Sequence, residues 1–304
     1  LMGERGREDG SLHILTLDEA PGHLIRRAQQ RHTFLWAKEF DGDLTGPQYA
    51  VVSAIGADPG LDQRAVGERA SLDKSSTADV VARLEGRGWL RFARDPDDGR
   101  RKALSLTPLA RVALGEITRR AGLVQERLLT PVPDEIVERF VEALRLVAYA
   151  GHPPLPGQVH EQGLVLADSP GHLLRRAEQV HTTAWSTEVG RGMTAPQYAV
   201  LSALWCHPEG VDQSTGAELA SLDKSSMAGV VQRLVMRGWL ARTRDAADGR
   251  RRLLRLTEAI RGELVSLTPA VRRVQERLLS PLESEQRAIF LDGLRALAYA
   301  SDAE

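Results

Sequence analysis

The chain has 304 residues, 42% hydrophobic and 27% charged, which suits two ordinary globular domains and excludes a low-complexity or fibrous protein. A formal net charge of −1 excludes a global pull toward nucleic acid, so a partner of that kind must be met by local charge. The single cysteine, Cys206, excludes an intrachain disulfide framework, no apolar run reaches the roughly 18 residues of a membrane span, and the charged start LMGERGREDG lacks an apolar signal core; a cytoplasmic protein with no membrane partner is expected.

Residues 1 to about 20 are polar and then weakly apolar (Leu12, Ile14, Leu15, Leu17), which suits an arm that packs on a partner lobe. From Pro21, PGHLIRRAQQRHTFLWAKEF carries Leu24, Ile25, Ala28, His32, Leu35 and Trp36 at i, i+3, i+4 spacings, predicting a helix with proline in its first turn. Thr45-Gly-Pro47 opens a second helix, ended by Asp58-Pro59-Gly60. A short third helix is predicted over 62–70, and Asp73 caps a fourth whose Val80, Val81 and Leu84 face inward. After Gly88 come two strands, over 89–93 and 102–106, joined by an Asp/Gly/Arg turn. A long helix over about 108–129, a break at 131–133 and a last helix over about 134–150 follow.

GHPPLPGQVHEQG, residues 151–163, has the Pro/Gly density of a linker, and then the program restarts. PGHLLRRAEQVHTTAW at 170 repeats PGHLIRRAQQRHTFLW at 21, and ASLDKSSMAGVVQRLVMRGWLARTRDAADGRRRLLRLT at 220–257 repeats ASLDKSSTADVVARLEGRGWLRFARDPDDGRRKALSLT at 70–107. QERLL recurs at 125 and 275. Two copies of one domain are therefore fused head to tail: a first domain with its arm over 1–150, the linker over 151–163 and a second domain over 164–304. Basic charge collects at the hairpins: five basic against three acidic residues over 91–105, six against two over 241–255. A capped, Ser-rich helix followed by an arginine-tipped hairpin is the layout of a winged helix-turn-helix.

The order of four helices, wing and two further helices, with LDKSS before the fourth helix, RLEGRGWL at its end and RDPDDGRRKALSLT as the wing, resembles the MarR family of bacterial transcription regulators, twice over, from about 17 to 150 and from about 166 to 300. Members of that family are normally homodimers whose first, fifth and sixth helices interlock. The resemblance thus implies a mainly α chain with small β wings, in which two winged helix-turn-helix domains share a helical pseudo-dimer base. The 13-residue linker reaches roughly 40 Å, enough to join them.

Double-stranded DNA is the partner so implied. On the recognition helices the candidates are Lys74, Ser75, Ser76 and Thr77, with Lys224, Ser225, Ser226 and Met227 in the second copy, because short hydroxyls approach base edges and Lys reaches phosphate. The rival reading of Ser76 is a helix cap shared with Asp73. At the wings, Arg100 and Arg250 match the family's tip arginine that enters the minor groove, with Arg94, Arg101, Arg244 and Arg251 as secondary candidates or a solvated charge run. Thr77 becomes Met227, Asp79 becomes Gly229 and the second wing is more basic, so non-identical half-sites are expected.

The resemblance also implies an effector cavity between the first helix and the winged domain, for an aromatic carboxylate, a phenol or a thioester form. His23, Arg26, His32 and Trp36, and in the second copy His172, Arg175, His181 and Trp185, supply the chemistry: a guanidinium fork for a carboxylate, imidazole hydrogen bonds and an apolar wall. The alternative is that the Trp residues are core and the Arg residues surface. His23 and His32 are nine positions apart, two and a half turns, and cannot line one cavity from one helix. No catalytic residue, cofactor or metal ligand set is expected, since no nucleophile elbow, phosphate loop or Cys/His cluster recurs in both copies, and Cys206 reads as a bystander. The functional expectation is a ligand-responsive repressor that binds a pseudo-palindromic operator as a single-chain pseudo-dimer, higher association being open. The competing expectation is a helical scaffold with vestigial wings.

Overall fold

A computed structural model of the chain describes residues 14–94, 102–152, 164–245 and 250–300. The first copy contains α1 (Pro21–Phe40), α2 (Gly46–Ala57), α3 (Gln63–Ala70), α4 (Lys74–Gly86), β1 (Leu90–Arg94), β2 (Lys102–Leu106), α5 (Pro108–Leu129) and α6 (Val137–Ala148). The second contains α7 (Pro170–Glu188), α8 (Ala195–Trp205), β3 (Val211–Asp212), α9 (Gln213–Ala220), α10 (Lys224–Met236), β4 (Leu240–Arg244), β5 (Arg252–Leu256), α11 (Glu258–Leu279) and α12 (Ser284–Ala298). The fold is mainly helical, with a small antiparallel wing sheet in each copy. A short 3-10 turn, Leu17–Glu19 or Leu166–Asp168, precedes the first helix of each copy.

Local chemistry sets the helix ends. Thr45 and Thr194 each form a capping box, with Gln48 and Gln197, at the start of α2 and α8. Asp62, Asp73 and Thr107 accept backbone N–H bonds at the starts of α3, α4 and α5. The two copies part at the last helix: α12 begins with a capping box from Glu283 to Gln286, whereas the corresponding position in the first copy is Pro133, and α6 starts later at Val137 without a side-chain cap. The second copy also gains β3, which pairs with β5 to make a three-stranded sheet in the order β3-β5-β4; in the first copy that contact is a single bridge, Asp62 to Ala103.

The chain packs into two compact units, and each takes segments from both copies. The larger holds Leu24–His181 with Leu278–Glu304. Its winged lobe buries Trp36 and Phe40 of α1, Val52 and Ile55 of α2, Leu84 of α4, Leu104 of β2 and Val124 of α5, and Leu164 and Leu166 of the second copy pack against them. Ser53 Oγ donates to the Leu164 carbonyl at 3.3 Å. A second cluster joins Leu24 and Ile25 of α1, Phe140 and Leu144 of α6, Leu173 and Leu174 of α7, and Phe290 and Leu294 of α12. The smaller unit holds Leu1–His23 with Thr182–Arg277. There Ile14 and Leu15 of the arm are buried with Tyr198, Leu201, Val231 and Val274, and the Leu15 carbonyl accepts from Tyr198 Oη at 3.0 Å and Ser202 Oγ at 3.2 Å. Each winged lobe is thus completed by the segment that precedes the first helix of the other copy.

In the larger unit the close approach of α6 and α12 depends on Gly293, since a β-carbon there would lie 2.2 Å from the Phe140 ring, which stacks on Phe290 with centroids 6.3 Å apart. Gly293→Ala is expected to destabilise the protein by about 1–3 kcal/mol through overpacking. Gly122→Ala, where no heavy atom lies within 4 Å of the added carbon, should be neutral or slightly stabilising. Thermal and urea unfolding of the two variants check the contrast; equal effects would mean that the α6 to α12 contact is not close-packed.

Candidate functional site

The helix-turn-helix in the larger unit is α3 and α4. Asp73 accepts from the backbone N–H of Ser75 and Ser76, each at 2.9 Å, and from the Ser76 hydroxyl at 2.6 Å. The Ser76 hydroxyl, then the backbone N–H groups, hold the Asp73 carboxyl below the usual carboxylate range. Asp223 does the same in α10, with Ser226 N at 2.9 Å and its hydroxyl at 2.5 Å. Asp73 and Asp223 are therefore the caps, and Ser76 and Ser226 donate to them while keeping hydroxyl lone pairs; Lys74, Ser75, Lys224 and Ser225 are exposed at the first turn. Thr77 and Met227 need correction. Both are buried, Thr77 donating to the Asp73 carbonyl at 2.7 Å and packing on Gly67, Met227 packing on Gly216, so neither side chain can reach a duplex.

In the wings β1 pairs with β2 from Leu90–Leu106 to Arg94–Lys102, and β4 with β5 from Leu240–Leu256 to Arg244–Arg252. Arg100 and Arg101 lie outside the described residues, and the Arg94 side chain is likewise not described. Arg244 and Arg250 are exposed at the end of the second hairpin. Arg251 points back: it donates to Asp212, the cap of α9, at 2.5 Å and lies 3.9 Å from Asp245. That pairing ties the wing to the start of the helix-turn-helix.

The larger unit also contains a cavity of about 360 Å³. One wall is Gln29, His32, Thr33 and Trp36 of α1; the α1 to α2 turn, Tyr49 of α2 and Gln125 of α5 form the floor; Leu164, Leu166, Gly171, His172 and Arg175 of the second copy close it. The cavity thus lies between the first helix and the winged lobe of the first copy, and the second copy supplies its cation. Of the eight candidates it gathers His32, Trp36, His172 and Arg175. Arg26 and His181 belong to the same unit but not to its lining, and His23 and Trp185 lie in the other unit, His23 with Nε2 3.4 Å from Ser221 Oγ and Trp185 donating to the Met193 carbonyl at 2.7 Å. Gln29, Tyr49, Gln125 and Gly171 were not among the sequence candidates. Two of them left a trace, Gly171 in the Pro-Gly-His triplet and Gln125 in the QERLL string, both repeated in the two copies; Gln125 Oε1 accepts from the Gly171 backbone N–H at 2.8 Å, and any β-carbon at Gly171 would strike the His32 ring.

Trp36 is satisfied, donating to the Leu44 carbonyl at 2.7 Å and stacking on Phe40 with centroids 4.6 Å apart. Other polar atoms on the lining are not. Both ring nitrogens of His32, Gln29 Oε1 and Arg175 Nε are buried without a hydrogen-bond partner. Burial, and then the Arg175 charge, push the His32 pKa down to about 4, so its imidazole is neutral at physiological pH. Burial, and then neighbouring Arg176, lower Arg175 to about 10, and among the described residues no carboxylate pairs with it.

The same side chains grip the turn before the recognition helix. Arg175 donates to the Ala70 carbonyl at 2.5 Å and to His172 Nδ1 at 3.0 Å, which leaves the His172 Nε2–H to donate to Ser71 Oγ at 3.1 Å. Arg176 also donates to Ser71 Oγ, at 2.7 Å, and to the Ala148 carbonyl at 3.2 Å, while Gln179 donates to the Ser71 carbonyl at 2.8 Å. Ser71 ends α3 in the left-handed region, φ 54°. Burial, and then Arg175, hold His172 well below the ordinary imidazole range, so it stays a neutral link.

Among known proteins, MarR family models match residues 42–101 and 193–251, one in each copy. Transcriptional regulator HosA of Escherichia coli O157:H7 is 37% identical over 131 residues, 43% of this chain and 96% of that protein. The HTH-type transcriptional repressor NicR of Pseudomonas putida is 30% identical over 131 residues, 42% of this chain and 80% of that protein. The crystal structure of the PcaV transcriptional regulator from Streptomyces coelicolor in complex with its natural ligand is similar at 43% identity, covering 45% of this chain and 97% of that one with a TM-score of 0.42. At least 80% of each relative is spanned by less than half of this chain; with HosA 37% identical and covered to 96%, and a family model matching in each copy, the chain belongs to the MarR family of transcriptional regulators, with two such domains in one polypeptide.

Proposed function

We propose that this regulator is a ligand-responsive repressor that binds a pseudo-palindromic operator as a single-chain pseudo-dimer and leaves it on binding a small aromatic carboxylate or phenol. The interleaving of copies within each unit supports the pseudo-dimer, since the segments that a homodimer exchanges between subunits come here from one chain. Exposed Lys74, Ser75, Lys224 and Ser225 and the wing arginines Arg244 and Arg250 are the DNA contacts so implied, with Arg94, Arg100 and Arg101 as the corresponding wing candidates in the first copy. Two half-sites about one helical turn apart are the matching target.

One observation carries the effector reading: Arg175 lines the cavity, and among the described residues no carboxylate pairs with it. A buried charge without a partner is costly, and an anion that supplies one gains what the protein lacks. Neutral His32 offers one donor and one acceptor, Gln29 Oε1 an acceptor, and Trp36 and Tyr49 flat apolar walls. A ring with a carboxylate at one end and a hydroxyl at the other meets all of them, and 360 Å³ is at the small end of ligand sites. The carboxylate competes with the Ala70 carbonyl for Arg175, so binding loosens the grip on the turn before α4 and favours a DNA-incompetent arrangement.

Lys74→Ala and Lys224→Ala should each weaken operator binding and lower the slope of log affinity against log salt by about one, measured by anisotropy of a labelled duplex. A slope near zero in the unaltered protein contradicts DNA binding and favours the scaffold reading. With a panel of hydroxybenzoates and hydroxycinnamates, Arg175→Gln should raise the ligand concentration that releases the duplex at least about tenfold; an unchanged titration removes Arg175 from the site. His32 and His181 have folded pKa values of about 4 against an ordinary 6.5, so unfolding takes up protons between those limits and stability is lost as pH falls through that window. Melting between pH 7 and pH 4.5 should show this decline, and His32→Gln should make it shallower; an equally steep decline would mean that His32 is not buried neutral.

A further inference from the structure

The recognition helices α4 and α10 begin alike and diverge along one line. Thr77, Val81 and Leu84 are buried in α4, and Met227, Val230, Val231 and Leu234 in α10. At about 100° per residue, the positions opposite that stripe are 75, 79, 82 and 86 in α4 and 225, 229, 232 and 236 in α10. In α4 this outward line reads Ser75, Asp79, Ala82, Gly86, all exposed; in α10 it reads Ser225, Gly229, Gln232, Met236, all outside the core, with Met236 71% exposed. The two helices differ at five positions, and three of them fall on this line; the others are the buried Thr77/Met227 pair and Glu85/Val235. Surface drift alone does not favour the one line that a helix in a major groove turns toward bases.

We propose that Asp79 and Gln232 are specificity-determining residues that make the two lobes read different bases, so that the operator has non-identical halves and the chain binds it in one orientation. The inference rests on the operator-binding reading above. Asp79 takes no hydrogen bond or ion pair among the described residues, although Arg83 lies one turn on. A carboxylate in a groove is repelled by phosphate unless it accepts from a base, and the major-groove partner for it is the cytosine N4 amino group. Ala82 and Gly86 flank it with almost no side chain, which lets the backbone of α4 come close enough for a short residue to reach. In α10 the carboxylate is gone: Gly229 leaves a gap in which the Arg233 guanidinium sits 3.5 Å from where a β-carbon would be. The amide moves one turn along, to Gln232, whose donor and acceptor pair matches N7 and N6 of adenine. A homodimer must present the same helix twice; fused copies are free to differ at these positions.

The test is selection of duplexes from a randomised pool by the full chain and by Asp79→Gly, Asp79→Asn and Gln232→Ala. All three replace exposed residues away from the core, and unchanged melting verifies that they fold. The unaltered chain should return a site with unlike halves, one with a preferred cytosine and the other with a preferred adenine. Asp79→Gly should reduce discrimination about tenfold at a position in one half alone, Asp79→Asn should shift that preference from cytosine toward adenine, and Gln232→Ala should flatten the other half. A perfect palindrome, or the same site from all four proteins, overturns this inference while leaving operator binding intact. Failure of the unaltered chain to select any sequence overturns the operator reading and this inference with it.

Discussion

The structure depends on how α7 of the second copy holds two residues of the first. Ala70 and Ser71 end α3, where helix carbonyls lack internal partners, and Arg175, Arg176, His172 and Gln179 all bond there. Two guanidinium groups at a helix C-terminus also meet the negative end of its dipole. Ser71 is buried with φ 54°, a conformation a serine keeps when its surroundings hold it. The turn that aims one recognition helix is therefore fixed by the first helix of the other copy, which neither copy can supply alone.

The cavity and this grip share residues, which is the physical route from ligand to DNA that the proposed function requires. Arg175 serves both, lining the cavity and placing one terminal nitrogen on the Ala70 carbonyl. Neutral His172 passes the contact to Ser71 without adding charge. A cation left without a carboxylate next to an imidazole without partners is poor design for stability alone. It is reasonable design for a site completed by an anion.

Much of the architecture was legible because it is written in local signals. Capping residues, the Pro/Gly breaks and the helical periodicity placed the helices, and the duplication stood out as repeated strings. The wing strands followed from the Gly-Trp-Leu and Arg-rich runs. Several things could not be read locally. Thr77 and Met227 sit among surface residues at a helix start, but their facing glycines, Gly67 and Gly216, make room for them inside, and that complementarity is tertiary. Arg251 has the sequence context of a DNA contact and instead finds Asp212, some forty residues earlier. The chemistry of the cavity was anticipated in kind, since His, Arg and Trp recur in both first helices. Its composition from two copies was not, because an exchange of segments leaves no mark on periodicity. Gln29 and Gln125 are ordinary helix-surface residues until α7 is laid against them.

The central proposal is that one polypeptide presents both winged lobes to a single duplex. Sedimentation of the purified chain with a fluorescent duplex carrying its selected site tests this most directly. The account predicts a saturated complex with the mass of one chain and one duplex. A complex that saturates at two chains per site, with no one-chain species on the way, would contradict it.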